Sequence, residues 1–413
     1  MTKVHEANQN YPFEQLSLAN PHGIQGGAFF SKLLLNEEHP CLFQTPKCLT
    51  KNGIVRTGKK TYCDLIIAAD NDTFLNFLQE FEKRIQQLIY EKRNMWFHNE
   101  MEMENIEYFF NPVLRTYKKQ YVTRAYVREI ADFIGPFKDI PAPDVYTDEQ
   151  IMVWILDEYE HLKREHVPAV VTGKPVELGG IKARNYSTAL GGIYVLEEAM
   201  KKEGMDKSDV SVAVQGFGNV GENAARILHE RGYKIIAVSD SRGGIINREG
   251  LNIPDVIKHK KSAGRVEGFP GSESISNEDL LVSDCDVLVP AALSDQINGN
   301  NAGNIKAKIV LELANAPSTT EADIILFNRS VMVIPDVLAN AGGVAGSYLE
   351  WIQNLNSDYW EHERVLDKMK SIMISAYDDV YAICQEEKTT MRKAAYKIAI
   401  KRILVAEKLR GNL

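Results

Sequence analysis

Three glycines, Gly216, Gly218 and Gly221, follow the strand-forming run SVAVQ and begin a helical pattern. In this spacing the first glycine permits a tight turn, the second lets the backbone approach a diphosphate, and the third lets the helix pack against the strand. Asn219 and Val220 would open the helix, whose N-terminus favours a bound anion. The pattern predicts a dinucleotide site; the alternative is a plain strand–helix turn whose glycines serve packing.

An acidic residue stands where the ribose of such a dinucleotide would be recognised. Asp240 ends a second strand-like run, KIIAVSD, 19 residues after Gly221, and its carboxylate can accept hydrogen bonds from a ribose 2′-hydroxyl. Ser241 and Arg242 follow directly and could instead receive the 2′-phosphate of NADP. The expected cofactor is therefore NAD or NADP, and NAD is favoured because the charge of Asp240 would repel a phosphate.

The elements that must position these residues alternate in type. From about residue 184 to 345, short β-rich runs alternate with helical segments, which favours a Rossmann-type α/β fold with a doubly wound, mostly parallel sheet. Residues 362–386 and 390–410 have the periodicity of two long amphipathic helices. A periodic stretch over 74–89 predicts another helix, and the turn formers of 51–62 predict hairpin turns between short strands.

Composition and charge restrict the class of protein. The chain has 413 residues, of which 44% are hydrophobic and 25% charged, enough for two or three globular domains. A net charge of −8 argues against a nucleic acid or an anionic membrane as partner, and no apolar run is long enough for a membrane span. Five widely spaced cysteines fit a reducing cytoplasm. Without CxxC or HExxH spacing, no metal site is expected.

Nine stretches in one order resemble the glutamate/leucine/phenylalanine/valine dehydrogenases, and most of all the glutamate dehydrogenases. The resemblance runs from about residue 121 to the end, and the stretches that carry it are YVREIADFIGP, DIPAPDVYTDEQIMVWILDEY, VTGKPVELGG, QGFGNVG, AVSDSRGGI, DVLVPAAL, NIKAKIVLELANAP, VIPDVLANAGGV and SYLEWIQN. The resemblance implies NAD(P)-dependent, reversible oxidation of an amino acid to a 2-oxo acid and ammonia. It also implies a Rossmann domain over 184–345, a second α/β domain of 119–183 completed by the C-terminal helices of 346–413, and a homo-oligomer, usually a hexamer.

The resemblance also implies roles for single residues. Asp144, in the proline-stiffened loop DIPAPDV, matches the family's catalytic aspartate, and a carboxylate there is a suitable general acid and base. The helix expected over 147–165 follows that loop, with Thr147 as its N-cap. Other residues match positions at the substrate (Ala142, Arg184, Val344, Ser347) or at the nicotinamide half of the cofactor (Thr188, Asn315, Asn340). The segment ARNYSTALGG departs from the family pattern at Ala189 and Leu190.

Residues 1–118 do not match the family and lack its three lysine motifs. In the relatives these lysines bind the substrate carboxylates and assist attack at the carbon that bears the amine. Lys59 and Lys60, in TGKKTY, stand in a different kind of sequence, and we assign them no such role. The segment faintly resembles small uncharacterised proteins of large DNA viruses. The chain is therefore either a fusion joined near 118–121, which we favour, or a dehydrogenase whose first part has diverged.

Three functional hypotheses remain at this point. The first is a glutamate dehydrogenase. The second is a catalytically silent, cofactor-binding scaffold or fusion product, because a cleft without fixed cations would desolvate two substrate carboxylates with little return. The third is a leucine, valine or phenylalanine dehydrogenase, which Ser347 in the side-chain pocket disfavours.

Overall fold

The computed structural model describes residues 119–144 and 147–412, together with the backbone of two short strands near residue 50. Those strands, β1 (Cys48–Thr50) and β2 (Gly53–Val55), pair antiparallel, as the hairpin pattern of that region predicts. The helix expected over 74–89 and the residues Lys59 and Lys60 lie outside the described residues.

The described chain divides into two compact units, one holding 119–140 and 150–170 and the other 141–149 and 171 onward. In the first unit, helix α1 over 119–130 and helix α2 over Glu149–Lys163 are linked by ion pairs. Buried Glu158 accepts hydrogen bonds from Arg124 at 3.1 Å and from Arg128 at 2.6 Å. The domain boundaries expected from the sequence stay a prediction.

Within the described residues of the second unit, seven strands form one sheet. They are β3 (Ser211–Gln215), β4 (Lys234–Asp240), β5 (Gly243–Ile246), β6 (Glu273–Ile275), β7 (Val287–Pro290), β8 (Ile309–Leu311) and β9 (Met332–Ile334). Their order is β6-β5-β4-β3-β7-β8-β9. The five neighbouring strands β4-β3-β7-β8-β9 all pair in parallel, which confirms the expected Rossmann-type sheet.

The two strands at one edge, β5 and β6, pair antiparallel and were not foreseen. Only Ser241 and Arg242 separate β4 from β5, and so short a connection allows a hairpin but no parallel crossover.

Helices cover both faces of the sheet. They are α3 (Ser187–Lys202), α4 (Asn219–Glu230), α5 (Ile253–Ala263), α6 (Asn277–Leu281), α7 (Thr320–Asn328), α8 (Asp336–Ala339), α9 (Gly342–Asn356), α10 (His362–Glu387) and α11 (Met391–Arg410). Successive strand residues enter two separate hydrophobic clusters, with Val212 and Val214 in one and Ala213 in the other. The two long C-terminal helices confirm the predicted pair. None of the described helices is long and apolar enough to cross a membrane.

Candidate active site

The glycine turn lies at the carboxyl end of the central strand, β3. Gly216 has φ +92°, and a Cβ there would stand 2.8 Å from the Ala291 carbonyl oxygen. A Cβ at Gly221 would overlap the carbonyl oxygen of Gly216. Because the chain leaves β3 for β4 on one side and β7 lies on the other, this end of the sheet is the topological switch point, where ligands bind in such folds.

Gly218 differs from the other two glycines. Its φ of −79° is one that any residue adopts, and a Cβ there would have no heavy atom within 4 Å. Gly218 precedes the first residue of α4, and no side chain caps that helix end. The fold itself therefore gives no reason for a glycine at this position. Open space at an uncapped helix N-terminus fits the diphosphate of a dinucleotide.

Asp240 ends β4 and is held rigidly. Its Oδ1 accepts the amide of Arg242 at 2.9 Å, and its Oδ2 accepts the amide of Val266 at 2.8 Å. Each carboxylate oxygen can accept two hydrogen bonds, so capacity remains for a ribose hydroxyl. Ser241 and the Arg242 side chain are exposed beside it. The recognition of NAD or of NADP by these side chains stays a prediction.

A short polar network, which the sequence reasoning missed, links the glycine turn to Asp240. The Gly216 amide donates to Ser239 Oγ at 3.4 Å, Ser239 Oγ donates to Asn277 Oδ1 at 2.6 Å, and Asn277 Nδ2 donates to the Asp240 carbonyl at 3.0 Å. Lys260 adds a cation beside the turn, since its ammonium donates to the Phe217 carbonyl. Nothing local in the sequence marks Asn277 or Lys260, because both reach the turn from other elements.

The two asparagines predicted to hold the nicotinamide lie together. Asn340 Nδ2 donates to Asn315 Oδ1 at 2.7 Å, although the residues are 25 positions apart. The next residue, Ala316, has φ +46°, and its amide donates to Asp336 Oδ2 at 2.7 Å. The structure therefore brings Asn315 and Asn340 to one place after β8 and β9, and their contact with a cofactor stays a prediction.

Helices α3 and α9 touch backbone to backbone. A Cβ at Gly191 would stand 2.5 Å from the Cα of Gly342, and one at Gly343 would stand 2.7 Å from Thr188 Oγ1. This contact places Thr188 against the first turn of α9, which also carries the exposed Val344 and, one turn later, the half-buried Ser347. Four of the predicted site residues thus stand near one crossing: Arg184, Thr188, Val344 and Ser347.

The loop that carries Asp144 is fixed at several points. The Asp144 amide donates to Thr147 Oγ1 at 2.6 Å, and this hydroxyl donates back to the Asp144 carbonyl at 2.9 Å. Thr147 therefore secures Asp144 instead of capping α2, which begins at Glu149. The Pro141 carbonyl accepts the amide of Thr172 at 3.0 Å. Asp144 and Ala142 are both exposed.

Arg184 lies beside the same segment as the Asp144 loop. A Cβ at Gly173 would overlap Pro143 and would stand 3.8 Å from Arg184 Nε. This Nε is buried and has no hydrogen-bond partner within the described part of the chain. Burial lowers the pKa of the Arg184 guanidinium, although the Glu350 carboxylate opposes that shift. A buried donor without a partner is costly, and an acceptor on a ligand would satisfy it.

No group of three or more histidine, cysteine, aspartate or glutamate side chains among the described residues is arranged to hold a metal ion.

Two family models match the chain. The model for the Glutamate/Leucine/Phenylalanine/Valine dehydrogenase covers residues 179–411, and that for the Glu/Leu/Phe/Val dehydrogenase dimerisation domain covers 113–161. The catabolic NAD-specific glutamate dehydrogenase RocG of Bacillus subtilis (strain 168) is 46% identical over 290 residues, 70% of this chain and 68% of that protein. The NAD-specific glutamate dehydrogenase of Staphylococcus aureus (strain COL) is also 46% identical over 290 residues, 70% of each.

Solved structures agree with these matches. A hetero-hexameric glutamate dehydrogenase from Thermus thermophilus, in a leucine-bound form, has a TM-score of 0.67 and 34% identity over 70% of this chain and 69% of that one. Glutamate dehydrogenase from Peptoniphilus asaccharolyticus has a TM-score of 0.62 and 36% identity over 71% and 70%. The chain belongs to the glutamate/leucine/phenylalanine/valine dehydrogenase family.

Proposed function

We propose that this chain is an NAD-dependent glutamate dehydrogenase, which converts L-glutamate to 2-oxoglutarate and ammonia in a reversible reaction. The observation that carries the proposal is that Pro143, the neighbour of Asp144, and Arg184 both lie against Gly173, in the compact unit that also holds the dinucleotide turn. The 46% identity to two enzymes named NAD-specific glutamate dehydrogenases supports the substrate and the cofactor.

The cofactor would be held by backbone and side chains from four strand ends and from the start of α3. The amides of Asn219, Val220 and Gly221 would receive the diphosphate, and Asp240 the adenosine ribose. Thr188, Asn315 and Asn340 would surround the nicotinamide. When bound, the dinucleotide accepts the electron pair and the hydrogen that leave the α-carbon. NADP is the less suitable ligand because its 2′-phosphate would meet the Asp240 carboxylate.

Asp144 would act as the proton relay. A carboxylate can take a proton from the substrate's ammonium group and return one as the amine leaves. The bonds to Thr147 hold its backbone, so that the side chain starts from a fixed point. Arg184 would bind a substrate carboxylate, since a guanidinium recognises that group with paired hydrogen bonds. The Ala142 backbone, Val344 and Ser347 would complete the pocket.

The other hypotheses find no support in the comparisons. The relatives carry the glutamate dehydrogenase name, which favours neither a silent scaffold nor a dehydrogenase for leucine, valine or phenylalanine. The argument for a silent chain depended on residues 1–118, and Lys59 and Lys60 lie outside the described residues. We also infer a homo-oligomer, with a hexamer as the first candidate, and a cytoplasmic location from the few, scattered cysteines.

Absorbance of the reduced nicotinamide tests the proposal directly. The purified chain with NAD should give a signal with L-glutamate that exceeds those with leucine, phenylalanine and valine. Asp144→Asn should lower kcat at least a hundredfold, because a positioned proton-transfer group contributes about 10²–10⁴ to the rate. The same variant should bind NADH as the parent does. Turnover of none of the four amino acids by a chain that binds NADH would establish the silent scaffold instead.

A further inference from the structure

A fully buried ion pair lies behind the Asp144 loop. Lys174 Nζ and Glu350 Oε1 are 2.7 Å apart, and neither side chain has any solvent exposure. Lys174 Nζ also donates to the Val171 carbonyl at 2.6 Å. Burying two charges costs more free energy than a simple ion pair returns unless further hydrogen bonds satisfy both groups, so a hydrophobic pair would serve packing at least as well.

Glu350 does more than neutralise Lys174. Its two carboxylate oxygens accept the Gly173 amide at 3.1 and 3.0 Å, and Oε1 also accepts the Lys174 amide at 3.3 Å. One carboxylate on α9 therefore fixes the backbone of two consecutive residues. Gly173 is also in a conformation, φ +85°, that disfavours other residues.

The backbone that Glu350 fixes is the surface on which the Asp144 loop rests. Pro143, the neighbour of Asp144, lies so close to Gly173 that a Cβ on Gly173 would overlap its ring. The Thr172 amide donates to the Pro141 carbonyl at 3.0 Å. A shift of Gly173 would therefore displace the loop on both sides of Ala142.

We propose that Lys174 and Glu350 are positioning residues, which set the place of Asp144 by clamping the Val171–Lys174 segment beneath its loop. Neither side chain reaches solvent, so neither touches the substrate. The charge of Glu350 lets one group hold several donors at once, and Lys174 balances that charge while restraining Val171. The kinetic part of this inference rests on the proposed function.

The test uses pairs of substitutions, because removing one partner alone would leave a buried charge. Lys174→Met with Glu350→Leu removes both charges and the two Glu350 oxygens that accept the Gly173 amide. Lys174→Met with Glu350→Gln removes the charges but keeps one acceptor oxygen. Lys201→Met with Glu198→Leu is the matched control, since it removes an ion pair of 3.6 Å on α3 whose lysine is largely exposed.

The expected kinetic result is a split between turnover and cofactor binding. In the leucine variant kcat should fall about a hundredfold, because displacing a catalytic group by about 1 Å can lower the rate by about that factor. The NADH dissociation constant should stay within about twofold, because the glycine turn does not depend on this clamp. The glutamine variant should recover at least tenfold of the lost kcat, and the control should match the parent.

Hydrogen exchange of the Thr172 amide gives a readout that needs no activity. This amide bonds to Pro141 and to neither substituted residue, so it reports release of the loop. It should exchange at least tenfold faster in the leucine variant, and its exchange rate should be largely restored to the parental value in the glutamine variant.

Parental exchange and parental kcat in a folded leucine variant would overturn the proposal, as would equal losses in both variants. If the leucine variant does not fold, exchange at Thr172 at least tenfold faster than the parent in the glutamine variant overturns it, because that variant keeps an acceptor for the Gly173 amide. Absence of turnover in the parent would sink the proposed function and leave the exchange test standing.

Discussion

Two glycines of one turn have opposite reasons to be glycine, and this difference can be measured. Gly221→Ala would push a methyl group into the Gly216 carbonyl, so we expect a loss of about 3 kcal/mol in the free energy of unfolding. Gly218→Asp has open space and an ordinary φ, so the protein should fold with an unchanged Tm. The new carboxylate would stand where the diphosphate approaches, and NADH affinity should fall at least a hundredfold by fluorescence titration.

Gly303→Asp is the matched control for the glycine turn. Gly303 also has no heavy atom within 4 Å of an added Cβ, but it lies in the Ala302–Asn304 turn, away from the carboxyl end of β3. This variant should keep both Tm and NADH affinity. Parental NADH affinity in Gly218→Asp would contradict the dinucleotide site, whatever the control shows.

We also expect one residue, Asp240, to determine the preference for NAD over NADP. Asp240→Ser removes the carboxylate that would accept from the ribose and repel a phosphate. We expect NAD affinity to fall about tenfold, equivalent to about 1.4 kcal/mol. The ratio of NAD affinity to NADP affinity should fall by more than tenfold, because NADP binding also loses the repulsion between its 2′-phosphate and the carboxylate. Titrations with both nucleotides measure the ratio. An unchanged ratio would show that another group sets the preference, since Ser241 and Arg242 stay in place.

At the level of elements, the C-terminal helix α11 is tied to the sheet through one arginine. Arg392 lies 2.6 Å from Glu312 after β8, 2.7 Å from Asp336 on α8 and 3.4 Å from Asp323 on α7. Glu312 is fully buried, and its Oε2 also accepts the Asp336 amide at 2.9 Å. Since Asp336 in turn holds the Ala316 amide, α11 stabilises the loop that carries Asn315.

Arg392→Met should destabilise the protein strongly and in a pH-dependent way. At pH 7 the buried carboxylate of Glu312 would lose its cation, at a cost of about 3–5 kcal/mol. Burial already raises the pKa of the Glu312 carboxyl above its ordinary value of 4.5, and Arg392 opposes that rise. A raised pKa means that the folded protein holds the proton more tightly than the unfolded chain, so this group adds stability as pH falls toward 4.5.

The loss caused by Arg392→Met should therefore shrink between about pH 7 and pH 5.5, because Glu312 takes up a proton more readily without its arginine. Urea unfolding at both pH values measures this. Arg402→Met is the control, because its pair with Asp379 is exposed on both sides and should contribute less than about 1 kcal/mol. A loss that is the same at both pH values would mean that Glu312 stays ionised.

What the sequence could predict followed from local patterns. The runs SVAVQ and KIIAVSD gave β3 and β4 with their observed ends, and the glycine spacing placed the turn between β3 and α4. The sequence did not predict three features: the antiparallel edge of the sheet, the Asn315–Asn340 contact and the buried ion pair of Lys174 with Glu350. Each depends on partners far apart in the chain, and the lysine and glutamate look like ordinary surface residues until the fold shows them buried.

At the scale of the whole molecule, assembly is the property that most needs measurement. Phe133 and Phe137 are 70% and 83% exposed, and both lie within the 113–161 stretch that matches the dimerisation-domain model. Large apolar side chains that stay in water mark interaction surfaces when they lie together. If the hexamer inferred above forms, light scattering should give the mass of six chains for the parent.

Phe133→Ser with Phe137→Ser should lower that mass, because the interface would lose its apolar contacts while each chain keeps its core. Tyr359→Ser is the control, since Tyr359 is 55% exposed but lies outside that stretch, and its variant should keep the parental mass. A monomeric parent would refute the expected assembly. A phenylalanine variant with the parental mass would show that the interface uses another surface. One such surface is the exposed face of α11, where Leu404 and Leu409 are also exposed to solvent.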